Sequence, residues 1–240
     1  MTPNEEKLVK EFNGEVAEND IKIVLVKTFS EQSDQMENFC DQFSKAAPAV
    51  KIKKEMAEDD SDLPAIVVNE RLIYRAVPTG KELEPFLEAL KISGNIDSAK
   101  LAEIKESLSD LKLAASFDIF VSPHCPFCPL TVSALAPLAF ASELVRVSII
   151  DASMFPELAA ARGVRSVPMT FLDESFSWTG GVSLQEIVDI VKNRDPSQLG
   201  AESLKNMIHE GMAAKVAEMM DAEGKIFPSF IELLTHEKWP

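Results

Sequence analysis

The sequence predicts an α/β protein in which one fold, a mixed central sheet flanked by helices, occurs twice in tandem and is followed by a helical extension. Three observations carry this. Two stretches repeat a single order of strand-like and helix-period segments. Aligned on Val26 and Val121, they place Ser30-Glu31-Gln32-Ser33 over Cys125-Pro126-Phe127-Cys128 without a gap. Beyond Asp195 only helical spacing remains.

Each copy opens with a charged, amphipathic helical lead-in, at residues 5–12 and again at 99–111. A β-branched and aromatic run follows, at 21–26 and 117–121, of the composition that suits a pleated, half-buried surface. Each run enters a polar loop and then a segment of helical period. A second strand, at 50–53 and 144–150, precedes a strand led by proline. That strand is Leu63-Pro64-Ala65-Ile66-Val67-Val68 in the first copy and Val167-Pro168-Met169-Thr170-Phe171-Leu172 in the second. Residues 71–77 and 176–179 read as hairpin partners, and helices at 81–90 and 183–192 close the copies. Parallel neighbours need crossovers and a short hairpin needs an antiparallel partner, so this order implies a mixed sheet with helices on both faces. The junction falls near Ser93-Gly94-Asn95, and Asp195-Pro196-Ser197 ends the second copy, dividing the chain into 1–93, 94–195 and 196–240.

A chain of 240 residues is long enough for two such domains, and 46% hydrophobic with 26% charged residues is the composition of a protein that buries a core. The net charge of −15 opposes approach to phosphate backbones and anionic lipid, so neither nucleic acid nor membrane is an expected partner. Its plainer meaning is solubility. No apolar run approaches the roughly 18 residues of a spanning helix. The acidic opening Met1-Thr2-Pro3-Asn4-Glu5-Glu6 lacks the charged and apolar regions of a secretory signal, and a cytoplasmic location is expected. Three cysteines cannot make a disulfide framework, and in a reducing compartment a close pair is more often catalytic or metal-binding than a staple.

The pair is Cys125 and Cys128, after a strand and before an apolar helix. This context is expected to put Cys125 at the helix N-terminus, with Pro126 where its missing N–H costs nothing and Cys128 one turn further in. Unpaired backbone amides and the positive helix end favour thiolate over thiol, and thiolate is the attacking species. Cys125 is therefore expected to attack a disulfide and the more shielded Cys128 to resolve the intermediate. His124 offers a charge or a hydrogen bond, although a loop histidine has no necessary role.

These residues resemble the thioredoxin/glutaredoxin superfamily, over about residues 21–192. Cys-Pro-Phe-Cys is similar to the glutaredoxin form of the motif. The tandem arrangement is similar both to the protein disulfide oxidoreductases and to the N-terminal region of the alkyl hydroperoxide reductase flavoprotein, in which the first fold has lost its dithiol. The resemblance implies that Pro168 is a cis-proline beside the dithiol and that the Val167 backbone holds an extended substrate segment. One departure matters. Thioredoxins carry a buried acid six residues before the first cysteine, and here that residue is Ile119, with Asp118 pointing to the other face of the strand.

Structural zinc would need a second ligand pair, and Cys40, His124, His209 and His236 are scattered over different segments, so no metal is expected. A cluster bridged between two copies of the chain would need thiolates from outside it. Cys40 lies in an apolar pattern with Met36, Phe39 and Phe43 and reads as core. Ser30 and Ser33 read as helix-capping residues, Pro64 as a cis turn without a catalytic partner, and His209 and His236 as surface residues. No Gly-rich phosphate fingerprint follows either first strand, so neither flavin nor nicotinamide is expected. The electrons are then supplied by an external donor, a reductase or a small thiol. Disulfide-bearing proteins, a peroxiredoxin among them, are the expected substrates. The rival reading is a redox-sensing adaptor, in which the silent copy and the C-terminal helices form the binding surface.

In the extension, Leu204, Met207, Ile208, Met212, Val216, Met219 and Met220 follow helical spacing, and Asp221-Ala222-Glu223-Gly224-Lys225 breaks it. A hairpin of two helices is expected, faintly similar to the opening unit of HEAT-type repeats. It would pack back on the second fold or join two copies of the chain. The end at Lys238-Trp239-Pro240 has no polar terminus and reads as a boundary within a longer protein.

Overall fold

The computed structural model describes residues 1–57, 64–96, 98–173 and 175–235. The first copy comprises α1 (Pro3–Glu15), β1 (Ile21–Lys27), α2 (Glu31–Ala46), β2 (Val50–Met56), β3 (Ala65–Asn69), β4 (Leu72–Arg75) and α3 (Leu83–Ser93). The second comprises α4 (Ser98–Ser107), β5 (Ala115–Val121), α5 (Cys128–Leu135), α6 (Leu138–Ala141), β6 (Val145–Asp151), α7 (Pro156–Ala161), β7 (Met169–Leu172), β8 (Phe176–Thr179) and α8 (Leu184–Asn193). The extension forms α9 (Ala201–His209), α10 (Ala213–Glu223) and α11 (Pro228–Thr235).

All eight strands belong to one sheet, in the order β2-β1-β3-β4-β6-β5-β7-β8. The copies fuse where β4 runs parallel to β6, with Tyr74 opposite Ile149. The internal repeat does not announce this fusion. Its physical reason is that β4 would otherwise be an unpaired edge carrying the fully buried Leu72 and Tyr74, and pairing with β6 removes that edge.

Alternation decides which strand residues meet the main core. Ile21, Ile23 and Leu25 of β1 and Phe117 and Ile119 of β5 join one cluster with Phe12 of α1, Met36, Phe39 and Phe43 of α2, Phe86 of α3, Ile104 of α4, Val132 of α5 and Ile187 of α8. Phe39, Phe43, Tyr74 and Phe86 pack there ring against ring, with centroids 5.1–6.0 Å apart. On the opposite face, α7 covers Phe120 and Ile150 through Ala159. The expectation of helices on both faces therefore holds in the second copy. In the first copy Lys22, Val24, Lys51, Lys53 and Val67 of that face are not buried. The two copies differ in what joins their strands, since only residues 57–64 separate β2 from β3 whereas α7 lies between β6 and β7.

The extension differs from the expected hairpin. It is three helices, because Gly211 at φ +78° ends α9 within the apolar spacing. The Met212 amide reaches back to the Met207 carbonyl at 2.9 Å and the Gly211 amide to Ile208 at 3.0 Å, the C-terminal wrap that keeps Met207 and Met212 near each other across the break. The second break is where the sequence places it, with Gly224 at φ +63°. Leu204, Met207, Val216, Phe227 and Leu233 pack back on Leu113 and Ala114, which lead into β5. A buried polar latch anchors the first of these helices: Arg194 pairs with Asp173 and donates to the Ala114 carbonyl, while the Ser203 hydroxyl donates to Asp173. His236 and Lys238-Trp239-Pro240 lie outside the described residues, as does Leu63 of the first proline-led strand.

Candidate functional site

The dithiol sits where β5 ends. After Val121 the chain turns, with the Cys125 amide donating to the Ser122 carbonyl at 3.0 Å, and α5 begins only at Cys128 with Pro129 in its first turn. The expected start at Cys125 is thereby corrected. Two prolines suit a helix start here, and closing the Ser122–Cys125 turn leaves the second, Pro129, to fill that place. The thiol nonetheless faces the helix, because the Cys128 backbone amide donates to Cys125 Sγ at 3.1 Å.

The other side of Cys125 is closed by the loop before β7. Its thiol donates to the Val167 carbonyl at 3.6 Å, and the Val167–Pro168 peptide bond is cis. Cys125, Cys128, Val167 and Pro168 are thus one cluster. Pro126 and His124 stand exposed at its rim, with Phe127 at 64% and Leu130 at 71% exposure beside them. The cysteines are free thiols in unequal surroundings, Cys125 8% exposed and Cys128 0%. Burial, followed by the hydrogen bond to Cys125, pushes the Cys128 thiol far above its ordinary range.

A carboxylate from the other copy stands near it. The Gly80–Glu82 turn, just before α3, packs against α5, and Glu82 is 3% exposed with no hydrogen-bond partner for either carboxyl oxygen among the described residues. Burial first, and then the charge of Asp151, pushes the Glu82 pKa up to about 7, while Glu82 in turn helps raise that of Cys128. Gly80 permits this approach, at φ +61° and with Pro123 so close that an added Cβ would lie 3.1 Å from its carbonyl oxygen. The sequence carried one signal for Glu82. It falls with Phe86, Ala89 and Leu90 on the buried stripe of the helix that follows, an unusual place for an acid.

In the silent copy the equivalent turn is occupied by its own bonds. Ser30 caps α2 by accepting the Ser33 amide at 3.2 Å, and Ser33, fully buried, accepts the Thr28 amide at 3.1 Å. Cys40 is core, and burial pushes its thiol up to about 12. His209 is exposed.

A strand, turn and helix carrying a dithiol opposite a cis-proline define the class of thioredoxin-fold proteins. The comparisons agree: residues 115–192 match the family described as the thioredoxin domain. Among curated proteins the chain is similar to the alkyl hydroperoxide reductase F protein of Pseudomonas putida, 29% identical over 117 residues, which is 49% of this chain and 22% of the relative. The corresponding protein of Staphylococcus aureus is 23% identical over 180 residues, 72% of this chain and 34% of the relative. The chain thus spans between about a fifth and a third of the length of these relatives. Among solved structures, the fold resembles the N-terminal domain of the alkyl hydroperoxide reductase F protein of Enterococcus faecalis, with TM-score 0.68 and 21% identity over 80% of this chain and 100% of that one. It equally resembles a protein disulfide oxidoreductase from Aeropyrum pernix, with TM-score 0.69 and 20% identity over 80% of this chain and 92% of that one.

Proposed function

We propose that the chain is a thiol-disulfide oxidoreductase acting on protein disulfides, with Cys125 as nucleophile, Cys128 as resolving thiol and Glu82 as the base that serves Cys128. The observation that carries this is the placement of Cys125 Sγ between the first amide of α5 and the Val167 carbonyl, with Cys128 fully buried behind it. The Cys125 thiolate attacks a substrate disulfide, forming a mixed disulfide and releasing one substrate sulfur as thiolate. Cys128 then gives its proton to the Glu82 carboxylate and attacks the Cys125 sulfur. The mixed disulfide breaks, the second substrate sulfur leaves as thiolate, and Cys125 and Cys128 are joined. Two electrons have passed to the substrate, and an external donor must return them. The exposed Phe127 and Leu130 and the Val167 backbone offer an extended substrate segment an apolar and hydrogen-bonding rim.

The names of the relatives point to an acceptor in a peroxide-reducing system and, with the reducing chemistry, to a cytoplasmic setting. The test is a disulfide-reduction assay offering glutathione, dithiothreitol and a thioredoxin reductase as alternative donors. Turnover with at least one donor, abolished by Cys125→Ser, is expected. A folded wild-type protein that forms the Cys125–Cys128 disulfide yet turns over with none of them would move the reading to a redox-sensing adaptor.

A further inference from the structure

The dithiol and Glu82 lie with the helices of the main core. The opposite face of the sheet holds a cavity of about 310 Å³ over β4, β5 and β6, bounded by α7 and the start of α9. In a chain of net charge −15, four of the six arginines line it: Arg71, Arg75, Arg146 and Arg162. Arg71 and Arg146 are neighbours. Leu72 is opposite Val147 in the parallel pairing, and the Val147 amide donates to the Arg71 carbonyl at 2.7 Å, so the residues before them lie side by side. Both project to the face of Ile73 and Ser148. Like charges adjacent on a sheet face are destabilising unless something negative lies between them.

Each guanidinium is held by one edge. Arg71 Nε donates to the Ala139 carbonyl at 3.2 Å and Arg146 Nη1 to the Glu70 carbonyl at 3.1 Å. The Nε atoms of Arg146 and Arg162 are buried with no hydrogen-bond partner among the described residues. The acids of the wall take up part of this charge: Asp118 pairs with Arg162 at 3.2 Å, and Glu202, 54% exposed, lies 3.9 Å from Arg146 Nε, whereas Asp173 is engaged by Arg194, so the wall answers its four arginines with fewer acids than cations. The first turn of α9 adds backbone donors, since its N-cap is Gly200, which has no side chain to accept from them.

We infer that this cavity binds a small organic anion carrying at least two carboxylate or phosphate groups, the chemistry that planar guanidinium forks recognise. Its volume lies at the lower end of the range for small-molecule sites, about 300–1,000 Å³, and a ligand there would bridge the sheet and the extension. The inference is independent of the redox reading.

Calorimetric titration of the whole chain with citrate and with pyrophosphate at low ionic strength tests it, the two probes separating a carboxylate from a phosphate ligand. Saturable binding of at least one is expected, weakened about tenfold or more by Arg146→Gln. Arg165→Gln, an exposed arginine outside the cavity, should leave affinity within about twofold. The wild-type protein gives a second reading that no folding defect can confuse: the bound anion should slow phenylglyoxal modification of Arg71 and Arg146 and leave Arg165 unprotected. Absence of saturable binding by both probes, or equal protection of Arg165, would overturn the inference. So would binding confined to an acidic peptide, which would assign the cavity to a protein partner.

Discussion

A buried carboxyl group holds its proton to higher pH than one in water, and burial, with the charge of Asp151, pushes Glu82 from 4.5 up to about 7. The folded state then binds this proton more tightly than the unfolded state, so stability falls as pH rises from 4.5 through 7, by up to about 3 kcal/mol. Glu82→Gln removes that titration. In denaturant titrations the variant should exceed the wild type in stability at about pH 8 and match it at about pH 4. The same variant should slow closure of the Cys125–Cys128 disulfide about a hundredfold and lack the rise in rate through neutral pH that is expected of the wild type. Unchanged stopped-flow kinetics would remove Glu82 from the mechanism. Gly80→Ala puts a Cβ at positive φ against the Pro123 carbonyl, and an expected cost of about 1–2 kcal/mol should come with a shift in the Glu82-dependent rate profile. At this scale Cys125 and Cys128 were legible because their signal is local, two cysteines after a strand and before an apolar helix. Glu82 carried only the signal of an acid on a buried helical stripe, because its place near Cys128 depends on packing between the two copies.

The elements were read well where burial is one-sided. β1 alternates over Ile21 to Leu25 and β5 over Ala115 to Ile119, and the stripe of Met36, Phe39, Cys40 and Phe43 marks the buried face of α2. Reading failed where the backbone, rather than the hydrophobic pattern, decides a boundary. The spacing of Met207 and Met212 ran on through Gly211, and the turn hydrogen bond between Cys125 and Ser122 moved the start of α5 past Pro126. The docking of α9 rests on a group that no periodicity reveals, the buried pair of Arg194 and Asp173 with Ser203. Asp173→Ala leaves Arg194 buried and uncompensated, at an expected cost of about 3–5 kcal/mol, whereas Ser203→Ala should cost about 1 kcal/mol. Hydrogen exchange should show faster opening of α9 in Asp173→Ala with the amides of β5 near the dithiol still protected. Protection of α9 equal to wild type would mean that the apolar contacts of Leu204 and Met207 suffice.

For the whole molecule, the repeat predicted two folds but not their fusion into one eight-stranded sheet. Pairing of β4 with β6 is a contact between copies, and under the proposed function the Gly80–Glu82 turn, which packs against α5, would supply the acid absent at Ile119. The division of labour between the two thiols is the centre of this account, and trapping with a disulfide-bonded substrate peptide tests it most directly. Mass spectrometry of the single variants should find a long-lived peptide adduct on Cys125 in Cys128→Ser and none in Cys125→Ser. Equal adducts in both variants, or an adduct on Cys128 alone, would contradict it.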